Sequence, residues 1–311
     1  MCSLKSSDFK FNEWNIHGLT QEKLDLLYDY LKDFHMNVFS ETWTEKTDKF
    51  QLKGFEYFPF CRSYKHPKAW QTRGGQGVFL RKDILDGVEF SRNVDDVLVW
   101  IKLKKTFFKL ERDFFIGSVY VYPENSTCIN FDHYHVIQQE ICRIDQADSD
   151  HINVGDWNAR IKDMVDYAVD TSHGSDGPLS TLIDDNPYGQ THVHEYLKKI
   201  RKLNRKTLDT QPVNNYGYSI IDLCKTSNMF IVNGRFDDQD IGYHTNIETR
   251  GCSLVDYLVV TPRSHKLIKS FSVGPKFPES DHLPLQVVVR SCVNQGKESV
   301  KSTWFPQYKF K

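Results

Sequence analysis

Short apolar runs alternate with helical patterns along most of the chain. The runs predict strands at VFS (38–40), GVFL (77–80), VLVWIKL (97–103), FFIGSVYVY (114–122), HINVGD (151–156), MFIVNG (229–234), SLVDYLVV (253–260) and LPLQVVV (283–289). Most of these runs are continuously apolar, which is typical of strands whose two faces are both covered. We therefore expect a layered α/β domain.

Three helices are predicted where apolar residues recur at helical spacing. The first helix has its apolar residues at Leu24, Leu27, Leu31 and Phe34, and the second at Ile137, Ile141 and Ile144. The third helix is predicted over the segment SIIDLCKTSN. Thr20 and Asp132 are suitable N-caps for the first two. The third is expected to begin at Ser219 and to close at Asn228.

Two segments break the pattern. Residues 162–215 are rich in glycine, proline and aspartate, and a loop of that length inside a compact domain is usually functional or without fixed structure. The stretch from Val293 onward is polar with a few late aromatic residues. We expect one domain over residues 8–292 and a C-terminal tail or linker over 293–311.

The overall charge does not indicate a polyanionic partner. The chain has 40 basic and 41 acidic residues, a formal net charge of −1. A nucleic-acid contact would therefore have to be local. The densest basic run is KKIRKLNRK, which supplies Lys198, Lys199, Arg201, Lys202, Arg205 and Lys206. This run is either a solvated helix face or a clamp for the DNA backbone.

Cysteine usage and the N-terminus bear on the compartment. The seven cysteines form no CxxC pair, and their number is odd, which favours a reduced intracellular protein over a disulfide scaffold. The N-terminus lacks the apolar core of a signal peptide, and no apolar run is long enough to span a bilayer. We expect a nuclear or cytoplasmic monomer with no membrane partner.

Acidic, amide and histidine residues remain at the ends of the predicted strands. They are Asn15, Glu41, Asp156, Asn158, Asp256, Asp281 and His282. Metal-assisted hydrolysis of a phosphodiester needs oxygen ligands for a hard cation, a base for water, and donors for the developing charge. These residue types meet each need, but each residue alone would more often be a turn or cap residue.

Six motifs in order give a more specific signal. FNEWNIHG (11–18), FSETW (39–43), SVYVYP (118–123), GDWNAR (155–160), SLVDYLVV (253–260) and SDHLPL (280–285) resemble those of the endonuclease/exonuclease/phosphatase superfamily. RGGQGVFLRKDI (73–84), VYPENS (121–126), IIDLCKTSNMFIVNGR (220–235) and GCSLVDYLVV (251–260) are similar to the endonuclease domains of non-LTR (LINE-type) retrotransposons.

The resemblance implies a fold and a set of roles. It implies a DNase I-like, four-layer α/β/β/α sandwich of two packed mixed sheets. It also implies a magnesium-dependent endonuclease that nicks one DNA strand and leaves 3′-hydroxyl and 5′-phosphate ends, with Mn²⁺ as an alternative cofactor. The implied catalytic residues are Asn15, Glu41, Tyr120, Asp156, Asn158, Asp256, Asp281 and His282, and the implied metal ligands are Glu41, Asn15 and Asp281. A reverse transcriptase, in cis or in trans, is the implied partner besides DNA.

The sequence departs from the family pattern at three points. Trp157 stands where phenylalanine is more usual. His17 stands where several members carry an aspartate that helps to bind metal. Tyr120 and Tyr122 both fit the tyrosine of the third motif.

Gly74, Gly75 and Gly77 resemble a phosphate loop, but they precede a strand and are better read as a tight turn.

Two alternative functions stay open. Another enzyme of the same fold, such as an abasic-site nuclease, a deadenylase or an inositol-phosphate or lipid phosphatase, would carry the same motifs. A catalytically silent nucleic-acid-binding module is the second, although an intact motif set argues against it.

Overall fold

The computed structural model describes residues 6–62, 74–94, 96–126, 132–168, 193–236, 241–249 and 251–294. The strands are β1 (Ser6–Asn15), β2 (Met36–Ser40), β3 (Phe55–Phe60), β4 (Gln76–Arg81), β5 (Val88–Val94), β6 (Leu98–Leu103), β7 (Phe114–Tyr120), β8 (Asp150–Asp156), β9 (Phe230–Ile231), β10 (Asn246–Glu248), β11 (Gly251–Ser253), β12 (Asp256–Val260), β13 (Ile268–Val273) and β14 (Leu285–Asn294). The helices are α1 (Gln21–Leu26), α2 (Tyr28–Leu31), α3 (Lys105–Phe108), α4 (His133–Gln146), α5 (Val193–Lys199), α6 (Asn215–Thr226) and α7 (Pro262–His265), with a 3-10 helix at Lys82–Gly87.

Two six-stranded sheets form the centre of the molecule. The first sheet has the order β13-β14-β1-β2-β4-β3 and the second the order β5-β6-β7-β8-β12-β9, while β10 and β11 form a separate hairpin. Both sheets are mixed, because β1 and β2 pair in parallel, as do β7 and β8, whereas the other neighbours are antiparallel. The predicted pair of mixed sheets is confirmed.

Three apolar clusters separate four layers. One lies between the sheets and combines residues of both, such as Val38 and Val287 from the first and Ile116 and Val154 from the second. A second packs the outer face of the second sheet against α4 and α6. The third packs the outer face of the first sheet against α1 and α2. The sandwich is therefore α/β/β/α, as expected.

The capping signals place two of the three predicted helices correctly. The side chains of Thr20 and Asp132 accept the backbone N–H of Lys23 and His135 at the starts of α1 and α4. The prediction that the third helix begins at Ser219 was wrong, because α6 begins at Asn215, where the side chain of Asn214 accepts the Gly217 N–H. Asn228, with a φ of 50°, adopts the left-handed conformation just after that helix.

The predicted strands lie at the correct places in the sequence, but several of their bounds were wrong. The run at 229–234 contains only the two residues of β9, and the run at 253–260 is divided between β11 and β12. The polar tail was expected from residue 293, but β14 continues to Asn294. Residues 295–311 and positions 169–192 of the predicted 162–215 loop lie outside the described part of the chain, whereas α5 falls within that loop and is described. No helix in the described ranges is long and apolar enough to cross a membrane.

Candidate active site

Strand register brings the predicted residues to one edge of the sandwich. In the second sheet Tyr120, Asp156 and Asp256 are direct neighbours across β7, β8 and β12. In the first sheet Asn15 ends β1 opposite the last residue of β2, so Glu41 follows immediately. Strand ends on a rigid scaffold can display reactive groups with little freedom to move.

His282 lies between two aspartates. Its Nδ1 is 2.9 Å from Asp256 Oδ2, and its Nε2 is 3.9 Å from Asp156 Oδ2. Burial lowers the pKa of His282, but the charges of Asp256 and Asp156 outweigh burial and raise it to about 10. Burial, followed by the charge of Asp256, raises the pKa of Asp156 above its usual range. The imidazolium form is therefore the favoured state of His282, with Asp256 fixing its orientation.

Asn15 connects the two sheets at this point. Its Nδ2 donates to Asp156 Oδ2 at 3.0 Å, while the backbone N–H of Asn158 donates to Asp156 Oδ1 at 2.9 Å. The side-chain amide of Asn158 donates to the carbonyl of Val121 at 2.7 Å and lies 3.3 Å from Asp156 Oδ2. Asp156 is thus held on both oxygens.

Glu41 is held by Tyr120, not by Tyr122. The Tyr120 hydroxyl donates to Glu41 Oε1 at 2.7 Å, whereas the Tyr122 hydroxyl donates to Asp96 Oδ2 at 2.5 Å. Tyr120 is buried, and burial, followed by the charge of Glu41, raises the pKa of its hydroxyl well above the usual range. Tyr120 therefore remains a neutral donor, and it is the tyrosine that contacts the acidic site.

Asp281 pairs with the residue that departs from the family pattern. Its Oδ1 lies 3.1 Å from Nδ1 of His17. The hydrogen bond that the His17 ring donates to Asp281 raises the pKa of His17, and the same contact holds the pKa of Asp281 well below its usual range. The ring of His17 also packs edge-on against Trp43 at 4.8 Å. Asp281, one of the predicted metal ligands, therefore favours the protonated form of the imidazole beside it.

Several supporting residues carried no spacing signal in the sequence. Ser280 Oγ donates to the carbonyl of Asn15 at 2.6 Å and accepts the His282 N–H at 3.0 Å. Trp14 Nε1 donates to the carbonyl of His282 at 3.0 Å. Thr245 Oγ1 accepts the N–H of Asp256 at 3.1 Å. These contacts hold the strand ends in register; Ser280 and Trp14 lie inside motifs that could have indicated them, whereas Thr245 does not.

Solved structures of other proteins have a similar fold. The AP endonuclease LMAP from Leishmania major has a TM-score of 0.63 at 14% identity, covering 91% of this chain and 87% of that one. The endonuclease domain of TRAS1, a telomere-specific non-LTR retrotransposon, has a TM-score of 0.54 at 13% identity, covering 91% and 99%. This chain has the DNase I-like endonuclease/exonuclease/phosphatase fold.

A third structure of this fold, the 3′-5′ exonuclease NExo from Neisseria meningitidis, has a TM-score of 0.50 at 14% identity, covering 90% and 99%. No protein-family model and no curated protein matches the chain. At these identities the likeness establishes the fold, and the chemistry has to be argued from the side chains.

Two groups of side chains at this edge could hold a divalent ion. Asp156, Asp256 and His282 offer ligand atoms that all lie within 4.8 Å of one another. Glu41 is only half-buried, and its carboxylate and the Asn15 amide are oxygen donors of the kind that Mg²⁺ prefers. The first group already forms a hydrogen-bonded His–Asp pair, so the oxygen donors near Glu41 fit magnesium better.

The predicted basic segment, residues 198–206, is mostly a loop. Lys198 and Lys199 end α5, and Arg201 and Lys206 are exposed beyond it, while Lys202 is half-buried. The segment leads to Asp209, whose carboxylate accepts the N–H of Leu254, two residues before Asp256. Part of the exposed positive charge therefore lies on a chain segment that ends beside the site.

The expectation that Arg205 belongs to a DNA clamp was wrong. Its side chain is 1% exposed, and it donates to the carbonyls of Lys162 and Met164 at 2.9 and 3.0 Å. It also faces the buried carboxylate of Asp166, with which Arg235 forms two hydrogen bonds of 2.6 and 2.7 Å. The side chain of Arg205 therefore points into the protein, where it binds the carbonyls of the loop that contains Lys162 and Met164.

Proposed function

We propose that this chain is a magnesium-dependent endonuclease that nicks one strand of DNA and leaves 3′-hydroxyl and 5′-phosphate ends. The observation that carries the proposal is the convergence of Asp256, His282 and Asp156 with Asn15 and with the Glu41–Tyr120 pair at one edge. The nucleases that share the fold, including a retrotransposon endonuclease domain, support DNA as the substrate.

The residues divide the chemistry among them. Asp156, fixed by Asn15 and Asn158, orients a water molecule and takes its proton as the water oxygen bonds to phosphorus. The bond from phosphorus to O3′ breaks, O3′ takes a proton from solvent water to become the 3′-hydroxyl, and Asp156 releases its proton to solvent. His282 directs its Nε2–H toward the phosphate oxygens while Asp256 holds Nδ1, which stabilises the developing charge.

The metal would be held by Glu41 and Asn15, with Asp281 as a third oxygen donor. When bound, Mg²⁺ would neutralise charge on the phosphate. Tyr120 fixes Glu41 Oε1 by its hydroxyl, which leaves Oε2 as the oxygen for the ion. A reverse transcriptase partner belongs to the same proposal, since the TRAS1 domain belongs to a retrotransposon.

A panel of substrates tests the proposal. Purified protein is incubated in Mg²⁺ with an intact duplex, a duplex with one abasic site, a polyadenylated RNA, and inositol phosphates, and products are resolved with their end groups. We expect cleavage of the intact duplex to 3′-hydroxyl and 5′-phosphate ends. Cleavage restricted to the abasic duplex, to RNA or to inositol phosphates would replace the proposal with another activity of this fold. Binding of DNA without turnover of any substrate would identify a silent binding module.

A further inference from the structure

Asp96 joins the two sheets beside Glu41. It precedes β6 with a φ of 58° and is almost fully buried. Its Oδ2 accepts the backbone N–H of Gly75 at 2.6 Å, just before β4 of the first sheet, and the hydroxyl of Tyr122 at 2.5 Å, just after β7 of the second. Hydrogen bonds to a carboxylate are short and strong, so one side chain fixes two elements at once.

A first path leads from Asp96 to the backbone around Glu41. The carbonyl of Gly75 accepts the Thr42 N–H at 3.1 Å, and the carbonyl of Gly74 accepts the Trp43 N–H at 2.9 Å. Glu41 itself has a φ of 51°, a strained conformation for a residue with a side chain. The two-glycine turn held by Asp96 thus secures the residues that directly follow Glu41.

A second path leads to the Glu41 side chain. The ring of Tyr122 packs edge-on against the ring of Tyr120, with centroids 5.0 Å apart. Tyr120 in turn donates its hydroxyl to Glu41 Oε1 at 2.7 Å. Asp96 therefore controls the position of Tyr120 through Tyr122, and the position of the Glu41 carboxylate through Tyr120.

The turn is shaped for this contact. Gly74 has a φ of +88°, and a Cβ there would lie 2.6 Å from the Tyr122 hydroxyl and 2.7 Å from Asp96 Oδ2. On the other side, Gln76 Nε2 donates to the carbonyl of Asp96 at 2.8 Å. A side chain at position 74 would displace one of the two partners.

We propose that Asp96 is a positioning residue for the metal ligand Glu41, and that the Gly74–Gly75 turn is part of the same support. The inference rests on the proposed function, because it assigns Glu41 to the metal. It assigns separate supports to two parts of the site: Asp96 supports Glu41, whereas Ser280 and Thr245 support His282 and Asp256. Loss of Asp96 should weaken metal binding without removing the groups that act on phosphate.

The test measures Mn²⁺ affinity without DNA, by calorimetry or electron paramagnetic resonance, for the whole chain. Wild type is compared with Asp96→Asn, Tyr122→Phe and the control Asp209→Asn. Asp209 is also a buried aspartate that accepts backbone N–H groups, from Gln211 and Leu254, but it lies on the histidine side. Circular dichroism checks that each variant is folded.

We expect Asp96→Asn to weaken Mn²⁺ binding by about 10-fold or more, the usual effect of losing a partner behind a metal ligand. Tyr122→Phe should weaken it less, and Asp209→Asn should bind as wild type does. Saturating Mg²⁺ should restore most of kcat in Asp96→Asn. If Asp96→Asn folds and binds Mn²⁺ with wild-type affinity, the inference is overturned. If Asp96→Asn does not fold, a wild-type Mn²⁺ affinity of Tyr122→Phe overturns it instead. Wild type that binds no Mn²⁺ would contradict the metal-dependent function itself, and the inference with it.

Discussion

The side chains of Asn15 and Asp156 join the two sheets at the edge of the site, since Asn15 Nδ2 lies 3.0 Å from Asp156 Oδ2. The amide donor favours the ionised form of Asp156, which a base for water requires. Asn15→Asp should place two carboxylates in contact and raise the pKa of the pair, so the acidic limb of kcat/KM against pH should move about one unit or more toward higher pH.

Asn15→Ala is the control for this prediction. It removes the donor without adding a charge, so the acidic limb should move less than in Asn15→Asp. A limb that stays in place in Asn15→Asp would show that Asp156 is not the base.

The His282–Asp256 pair predicts non-additive losses. Asp256→Asn and His282→Asn should each lower kcat by about 10²–10⁴-fold, the range of general acid–base groups. Because Asp256 acts through His282, the double variant should be no slower than the slower single variant. Initial rates of DNA nicking at saturating Mg²⁺ provide the measurement, and losses that multiply would contradict the coupling.

The magnesium requirement distinguishes the two groups of candidate ligands. Glu41→Gln should raise the Mg²⁺ concentration needed for half-maximal rate by about 10-fold or more, as loss of one charged ligand should. Asp256→Asn should lower the maximal rate and leave the Mg²⁺ requirement nearly unchanged. The opposite pattern would assign the ion to Asp156, Asp256 and His282.

Exposed basic residues of segment 198–206 should steepen the salt dependence of DNA binding. Neutralising Lys198, Lys199, Arg201 and Lys206 should reduce the slope of log affinity against log salt by about 0.9 for each DNA phosphate that the protein no longer neutralises. Lys105→Ala with Lys109→Ala is the control, since these exposed residues lie beyond the end of β6, at the opposite edge of the second sheet. Equal slopes for the two sets would leave the basic segment as solvated surface.

The buried ring of His35 predicts acid sensitivity. Its Nδ1 accepts the Lys10 N–H at 3.0 Å, so the ring is neutral, and burial, followed by the charge of Arg81, lowers its pKa to about 4. Because the unfolded chain takes up the proton at a higher pH, the stability that the neutral ring contributes is present above about 6.5 and is lost as pH falls toward 4.

Chemical denaturation at several pH values tests this effect. Between pH 6.5 and 4, the free energy of unfolding should depend on pH less steeply in His35→Gln than in wild type, by up to about 1.4 kcal/mol per pH unit. Equal pH dependence in the two proteins would show that His35 does not remain neutral when folded.

The sequence predicted the layers and the residues of the edge because both depend on local signals. Buried strands read as apolar runs, and Asn15, Asp156 and His282 stand where such runs begin or end. The central strand β1 and the short strand β10 were not predicted, because polar residues interrupt their apolar ones. The edge strands β3, β5 and β13 were not predicted either, since they are only partly buried and their sequences are mixed. Local pattern is weakest where only one face of a strand is covered.

What could not be predicted depends on contacts between distant residues. The choice of Tyr120 over Tyr122 is decided by which hydroxyl reaches Glu41, 79 positions earlier. Arg205 reads as one more surface cation in a basic run, and only the packing shows it among the carbonyls of Lys162 and Met164. Asp96 carries no motif, because its partners Gly75 and Tyr122 lie on different sheets.

The conversion of supercoiled plasmid to open circles tests the proposed endonuclease most directly. Wild type and His282→Asn are purified in parallel and incubated with plasmid in Mg²⁺ and in EDTA. We predict open circles only for wild type in Mg²⁺, with the rate in His282→Asn lower by about 10²-fold or more. Equal nicking in EDTA, or equal nicking by His282→Asn, would contradict metal-dependent cleavage at this site.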